Sequence, residues 1–326
     1  MKTINFDFEK IRFGKKLVRF SPHISACLIL IVLPPFLPLH LQSLMTKMLI
    51  FSIFGMSLNL LAGYTGLPSL GHAAFFGVGG YTSGILMLRY GIKSFWIIAP
   101  AGLLMAALVA AIFGLIALRV SGLYFLMVTF ALAQLLYAIA WTWFRMTGGA
   151  HGLVGVTSPE LSLPYLTMDV TFWYFFVLVA FVFCYFLIYR LIKSPLGHAL
   201  QGIREHEPRM RALGYNTWLY KYFVFIIGAI FAGLAGVLFV HWNKLIAPMH
   251  LGIETSVLGF LIIIVGGAGT LFGPVVGSAV IVFAEYQASI YSPERWPLIL
   301  GIIFVITVLF LRGGIYPRFA RLWARL

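Results

Sequence analysis

Along most of this chain the polar positions punctuate long apolar runs instead of alternating with them. A helix needs about 20 apolar residues to cross the hydrocarbon core of a bilayer. By that measure the runs at 24–40, 46–62, 71–88, 95–118, 122–144, 171–192, 219–241, 253–266, 270–290 and 296–312 predict about ten spans. Three of them are irregular. The first holds Pro34, Pro35 and Pro38, the third has a glycine-rich entry, and the eighth ends early at Gly266 and Gly267. The pattern predicts an all-α, polytopic transmembrane helical bundle with broken or re-entrant segments, where non-helical backbone sits at membrane depth. Tight helix packing around glycine is the alternative origin of the breaks.

One interior stretch reverses the pattern. Residues 190–216 read RLIKSPLGHALQGIREHEPRMRALGYN, polar and charged between two apolar runs. Ser194 followed by Pro195 suits a helix start, since the hydroxyl accepts an orphan N–H and proline is harmless at the first helical position. Leu196, Ala199, Leu200 and Ile203 then recur at helical spacing, with Arg204 and Glu205 on other faces. Pro208 interrupts the backbone ladder, so a second short helix is expected from there to Leu213, stopped by Gly214 in the left-handed conformation. Periodicity alone leaves three roles open: a plain connector, a partner-binding element, or a helix lying on lipid. The stretch contains no GxxxxGK[ST] phosphate cradle, so nucleotide hydrolysis is expected on another polypeptide.

Composition narrows the class further. With 61% hydrophobic and 10% charged residues, the 326-residue chain is too apolar for a water-facing surface. The formal charge of +14 is dispersed among membrane-length runs, which favours an anionic lipid leaflet over nucleic acid as its partner. Cys27 and Cys184 both lie inside apolar runs, which suits neither a metal site nor a disulfide framework. No cleavable signal peptide is expected, because the first run follows a long basic and aromatic segment. With ten spans, one set of loops carries most of the Lys and Arg, while the other holds Lys47, Arg89, Lys93, Arg145, Lys244 and Arg295. The positive-inside rule then puts both termini in the cytoplasm. It divides the chain into a cytoplasmic segment at 1–23, a membrane domain at 24–312 and a basic cytoplasmic tail at 313–326. The loop at 193–218 falls inside and the loop at 145–170 outside.

Three further constellations bear on chemistry. The stretch GYTGLPSLGH at 63–72 combines turn residues with small or hydrogen-bonding side chains. Gly63, Thr65, Gly66, Ser69, Gly71 and His72 are therefore the candidate lining of a solute pathway, with a packed and capped histidine as the plainer role of His72. Ala73, Ala74, Gly77, Gly80 and Gly84 form a small-residue face whose ordinary meaning is close helix packing. The run GGAGTLFGP at 266–274 lacks the GxGxxG order and the βαβ setting of a dinucleotide loop, and predicts a tight turn or broken helix. Glu285 is an acidic side chain inside an apolar run, expected at the interface or in a structural hydrogen bond. Carboxylates and histidines do not converge anywhere along the chain, so no catalytic or metal residues and no cofactor are assigned, and an enzyme is not expected.

Four ordered stretches carry a resemblance: NLLAGYTGLPSLGHAAFFGVGGYTSG at 59–84, TGGAHGLVGV at 147–156, SPLGHALQGIREHEPRMRALG at 194–214 and VGGAGTLFGPVVGSAVIVFAEY at 265–286. The sequence resembles the permease family of ABC importers for branched-chain amino acids, in particular the M-type membrane subunit. The likeness runs from about residue 35 to 312. It implies a bacterial inner-membrane subunit that works with a second homologous permease, two ATP-hydrolysing subunits and an extracytoplasmic solute-binding protein. ATP and Mg would be bound by the separate ATPase subunits. It also implies that 194–214 is the coupling segment, with Leu196, Leu200, Ile203 and Arg204 in its first part. Glu205 and Glu207 match the acidic pair, and Ala212, Leu213 and Gly214 take the family's ALG position. His198, Pro68 and the RGGIY run at 312–316 depart from the family pattern. Urea or short-amide importers have similar membrane subunits and form the alternative; an ion-coupled secondary transporter is the alternative of another class.

Overall fold

The computed structural model describes residues 30–32, 34–160, 169–291, 296–310 and 313–323. The N-terminal segment at 1–23 and the start of the run at 24–40 lie outside them. Eleven helices of eight residues or more are described: α1 (Leu39–Asn59), α2 (His72–Tyr90), α3 (Phe95–Ala117), α4 (Leu123–Thr142), α5 (Val170–Lys193), α6 (Pro195–Ala212), α7 (Thr217–Asn243), α8 (Ile253–Gly266), α9 (Gly273–Tyr291), α10 (Trp296–Phe310) and α11 (Ile315–Trp323). Helix α1 continues in π-helical form over Leu60–Thr65. The sole described β-structure is a two-residue antiparallel ribbon pairing Leu153 with Ile246 and Val154 with Leu245, and one isolated bridge between Ser94 and Glu160.

The protein is a polytopic helical bundle, and six described helices are long and apolar enough to cross a membrane: Leu39–Thr65, Phe95–Ala117, Leu123–Thr142, Val170–Lys193, Thr217–Asn243 and Gly273–Ile290. Each of the nine predicted runs from 46–62 onward coincides with a helix, while the run at 24–40 lies partly outside the described residues. Helix α8 has 14 residues, about 21 Å at 1.5 Å per residue, short of a hydrocarbon core of about 30 Å. The approach to it is not α-helical: a short extended stretch at Leu245–Ile246 is followed by a 3-10 turn over Pro248–Leu251. The chain from Leu245 to Leu251 runs beside α2, with Ile246 against Gly80 and Gly84 and Leu251 against Gly77. This irregular backbone is tolerated because it is enclosed by protein, with Ile246, Pro248 and Leu251 buried.

The tightest packing joins α2, α3 and α7. A Cβ at Gly79 would strike the Gly233 carbonyl, one at Gly236 the Phe76 carbonyl, and one at Gly102 would come within 2.6 Å of the Val237 side chain. Three backbones thus approach as glycine-lined surfaces, the small-residue packing that membrane helices use where no hydrophobic gradient separates protein from lipid. Around this contact Phe51, Phe54, Phe75, Phe76, Phe225 and Phe239 fill the interior, largely in edge-on arrangements such as Phe75 against Phe225 at 5.4 Å.

Two buried histidines tie helices together. Ser57 Oγ donates to the Phe54 carbonyl at 2.6 Å and also meets His72 Nε2 at 2.8 Å. A serine has one proton to give, so His72 Nε2 is the donor and its Nδ1 carries the lone pair. His241 is the mirror case: Nδ1 faces the Thr157 carbonyl at 2.9 Å, so it bears the proton, and Nε2 accepts from Ser83 Oγ at 2.7 Å.

Candidate functional site: a charged helix pair clamped to broken membrane helices

Helix α6 begins as its sequence requires. Ser194 Oγ accepts the Gly197 N–H at 3.3 Å and Pro195 occupies the first turn. Ala199, Leu200 and Ile203 are buried and Leu196 is half-buried, which fixes the apolar stripe against the bundle. The break falls at His206, whose backbone is extended at φ −158° and ψ 86°. Its Nδ1 accepts the Arg209 N–H at 3.3 Å, so His206 caps the second short helix two residues before Pro208. At the far end Gly214 takes φ +87°, a left-handed stop open to glycine without strain.

Glu207 holds this kinked helix in place. Its Oε1 accepts from Arg211 Nη2 at 2.7 Å and Thr217 Oγ1 at 2.9 Å, and its Oε2 from Lys221 Nζ at 2.6 Å. Burial alone would push the carboxyl pKa up, but the hydrogen bonds from Lys221, Arg211 and Thr217 outweigh it and hold the group below its ordinary value. The second half of α6 is thereby locked onto the start of α7, which Asn216 caps through the Leu219 N–H at 3.2 Å. Glu205, the other acidic residue of the pair, is exposed.

Arg204 fastens the first half. Its guanidinium donates to the Gly63 carbonyl in the π-helical end of α1, and its stem covers Gly66, which sits at φ +74°. A π-turn leaves carbonyls off the regular ladder, so an arginine from outside satisfies one of them. The glycine-rich turn after α8 closes over the same place. Asn59 Oδ1 accepts the Gly269 N–H at 2.9 Å and its Nδ2 donates to the Thr270 carbonyl at 2.8 Å. Gly267 lies against Pro317, and the Phe272 and Tyr316 rings stand 5.4 Å apart, which brings the start of α11 to the cluster.

Arg204, Gly63, Gly66 and the turn at 266–273 therefore meet at one end of the bundle, although they are widely separated in sequence. The outer surface of α6 is left unpaired among the described residues: Leu213 is 65% exposed, with Ala212 and Gly214 exposed beside it. The remaining residues of the 63–72 stretch are enclosed. Thr65 Oγ1 donates to the Leu60 carbonyl at 2.9 Å, Ser69 is fully buried with no partner for Oγ among the described residues, Gly71 abuts the Thr129 backbone, and His72 packs between Phe54 and Phe75.

Glu285 lies at the opposite end of the bundle, where it pairs with Lys47 at 2.8 Å. Lys47 is inside α1, not in a loop as the charge count assumes. Sequence reasoning gave Lys47 no role beyond the charge count, and Asn59, Thr217 and Lys221 no role in the site. The signal for the first two was the one that singled out Glu285, a strongly polar side chain within an apolar run.

The family described as branched-chain amino acid transport system / permease component matches residues 40–308. The high-affinity branched-chain amino acid transport system permease protein LivM of Escherichia coli is 29% identical over 294 residues, covering 83% of this chain and 69% of that one. The probable branched-chain amino acid transport permease protein LivM of Methanocaldococcus jannaschii is 25% identical over 280 residues, 74% of this chain and 79% of that one. The high-affinity permease protein LivH of Salmonella typhimurium is 24% identical over 290 residues, 82% and 91% of the two chains. No solved structure matches. The family match begins in α1 and runs into α10, taking in the π-turn, the clamped α6 and the glycine turn, and so the chain belongs to the branched-chain amino acid transport permease family.

Proposed function

We propose that this chain is a membrane-spanning permease subunit of an ATP-driven importer for branched-chain amino acids, with α6 as the coupling segment. The observation that carries the reading is the two-sided character of α6. One side is bonded to irregular backbone of the membrane core through Arg204 and Gly63, and the other presents the exposed tip Ala212, Leu213 and Gly214. Such an element suits the transmission of a rigid-body movement from an ATP-hydrolysing partner to the bundle. ATP and Mg belong to that partner, and the full assembly adds a second permease, a second ATPase subunit and an extracytoplasmic solute-binding protein. On this reading α6 faces the cytoplasm of a bacterial inner membrane and Lys47 and Glu285 face outward.

Gly63, Thr65, Ser69, Gly71 and His72 then form a closed part of the pathway, with the exposed Gly66 at its edge. They are shut by Arg204 on one side and by Thr129, Phe54 and Phe75 on the other, and passage of a solute requires those contacts to part.

The test is reconstitution of the chain with its partners in vesicles. Wild-type complex is expected to take up leucine, isoleucine or valine only with ATP, and Gly214→Pro or Leu213→Asp to cut uptake about tenfold or more while the complex still assembles. Uptake driven by an ion gradient without ATPase subunits overturns the importer reading. Uptake of urea in place of amino acids moves the solute class, and wild-type coupling in both variants removes α6 from the mechanism.

A further inference from the structure

Between α1, α7 and α9, at the end of the bundle away from α6, lies a pocket of about 260 Å3 that holds both charges of the Lys47–Glu285 pair. Neither charge is at a helix terminus. Lys47 stands eight residues into α1 and Glu285 six residues before the end of α9, about 12 Å and 9 Å along their helices at 1.5 Å per residue. Both helices are apolar enough to cross a membrane, and ionisable groups at such depth are costly unless they serve a pathway or a partner. The pair is also incomplete. Glu285 Oε1 accepts from Lys47, but Oε2 is buried with no hydrogen-bond partner among the described residues.

We propose that this pocket is a binding site for a free amino acid, in which Lys47 receives the α-carboxylate and Glu285 the α-ammonium group. The inference rests on the amino-acid permease reading and adds to it a place where the permease itself holds the solute. A zwitterion can enter between Lys47 and Glu285 without changing the net charge of the site, because one ion pair becomes two of the same polarity. An ammonium group brings three N–H donors, and a turn of the Glu285 carboxylate about its last bond presents the orphaned Oε2 to them as well as Oε1. Ser43, whose Oγ accepts from Trp242 Nε1 at 3.0 Å, supplies a further polar group, and Leu44, Val282 and the Trp242 ring supply an apolar wall for an aliphatic side chain. The volume of about 260 Å3 lies just below the ~300–1,000 Å3 of pockets for drug-sized ligands and suits a small solute.

The test is binding of radiolabelled leucine to the complete complex in nanodiscs without the solute-binding protein, alongside ATP-dependent uptake with it. Leucine is expected to bind wild type, and 3-methylbutylamine and 4-methylpentanoate, which each lack one charge, to compete at least tenfold less well. Lys47→Met/Glu285→Gln is expected to lose binding at least tenfold per assembled complex. Ser289→Phe keeps both charges but fills the pocket, so it is expected to show the same loss. An ion pair serving only as a latch predicts the reverse, with Ser289→Phe harmless and the swapped pair Lys47→Glu/Glu285→Lys fully active. If wild type imports leucine but does not bind it here, or if the double variant and Ser289→Phe both bind and import normally, the site is overturned and the permease reading stands. If wild type imports no amino acid, the permease reading falls and the site falls with it.

Discussion

Two buried-to-half-buried carboxylates sit at opposite ends of this bundle and solve the same electrostatic problem to different degrees. Glu207 has both oxygens occupied by three donors from two helices, and its whole role is consumed in joining α6 to α7. Glu285 has one oxygen paired and one without a partner among the described residues, beside a pocket. A saturated carboxylate fixes geometry, whereas an under-satisfied one inside a membrane-length helix is a cost to the fold until a further donor reaches it. On the proposed reading, the end that transmits movement is the rigid one, and the end that meets solute first is the unsaturated one.

The largest effect should come from reducing both residues to amides. Glu207→Gln removes one acceptor and leaves Lys221, whose side chain is 11% exposed, without a counter-charge; a loss of about 2 kcal/mol is expected, discounted because the Glu207 side chain is 24% exposed. Glu285→Gln keeps an oxygen for Lys47 and should cost less than half of that. Thermal melts of the purified complex would show the ordering, and equal losses would erase the contrast. The acid limb adds a sign. Since the Glu207 pKa lies below its ordinary 4.5 in the folded protein, its contribution is complete above that value and is lost as pH falls through the depressed one. Glu207→Gln should flatten that part of the pH profile.

A smaller effect is expected at the other fastening of α6. Arg204→Ala removes the donor to the Gly63 carbonyl and uncovers Gly66, a loss of about 1.4 kcal/mol, or tenfold in local opening. Amide hydrogen exchange in 195–205 should quicken by that factor while α7 is unchanged. Unchanged exchange would mean that the apolar stripe alone holds the helix.

Ser69→Ala should have the smallest effect. Its Oγ is buried without a partner among the described residues, so deletion is close to neutral for stability. A drop in uptake per assembled complex would then report a polar contact with solute in the open state. No change in either quantity would leave Ser69 as packing.

Much of the fold was legible because local rules act within a few residues. The cap at Ser194, the stop at Gly214 and the buried stripe of Leu200 and Ile203 all follow from spacing, and they appear where the spacing put them. The break near Pro208 was also legible, but its placement at His206 depended on a side-chain cap that periodicity does not encode.

What the chain by itself determined, then, is which segments prefer lipid, where helices must begin and stop, and where glycine permits backbones to touch. Those are consequences of hydrophobicity, dihedral limits and side-chain size, all carried by neighbouring residues. Only the tertiary structure decided that the approach to the short α8 packs against the glycines of α2, or that Arg204 reaches Gly63 and Lys47 reaches Glu285. The partners in the last two pairs stand 141 and 238 residues apart, and a charge in an apolar run announces only that it needs a partner. Which partner it gets is fixed by how the helices pack.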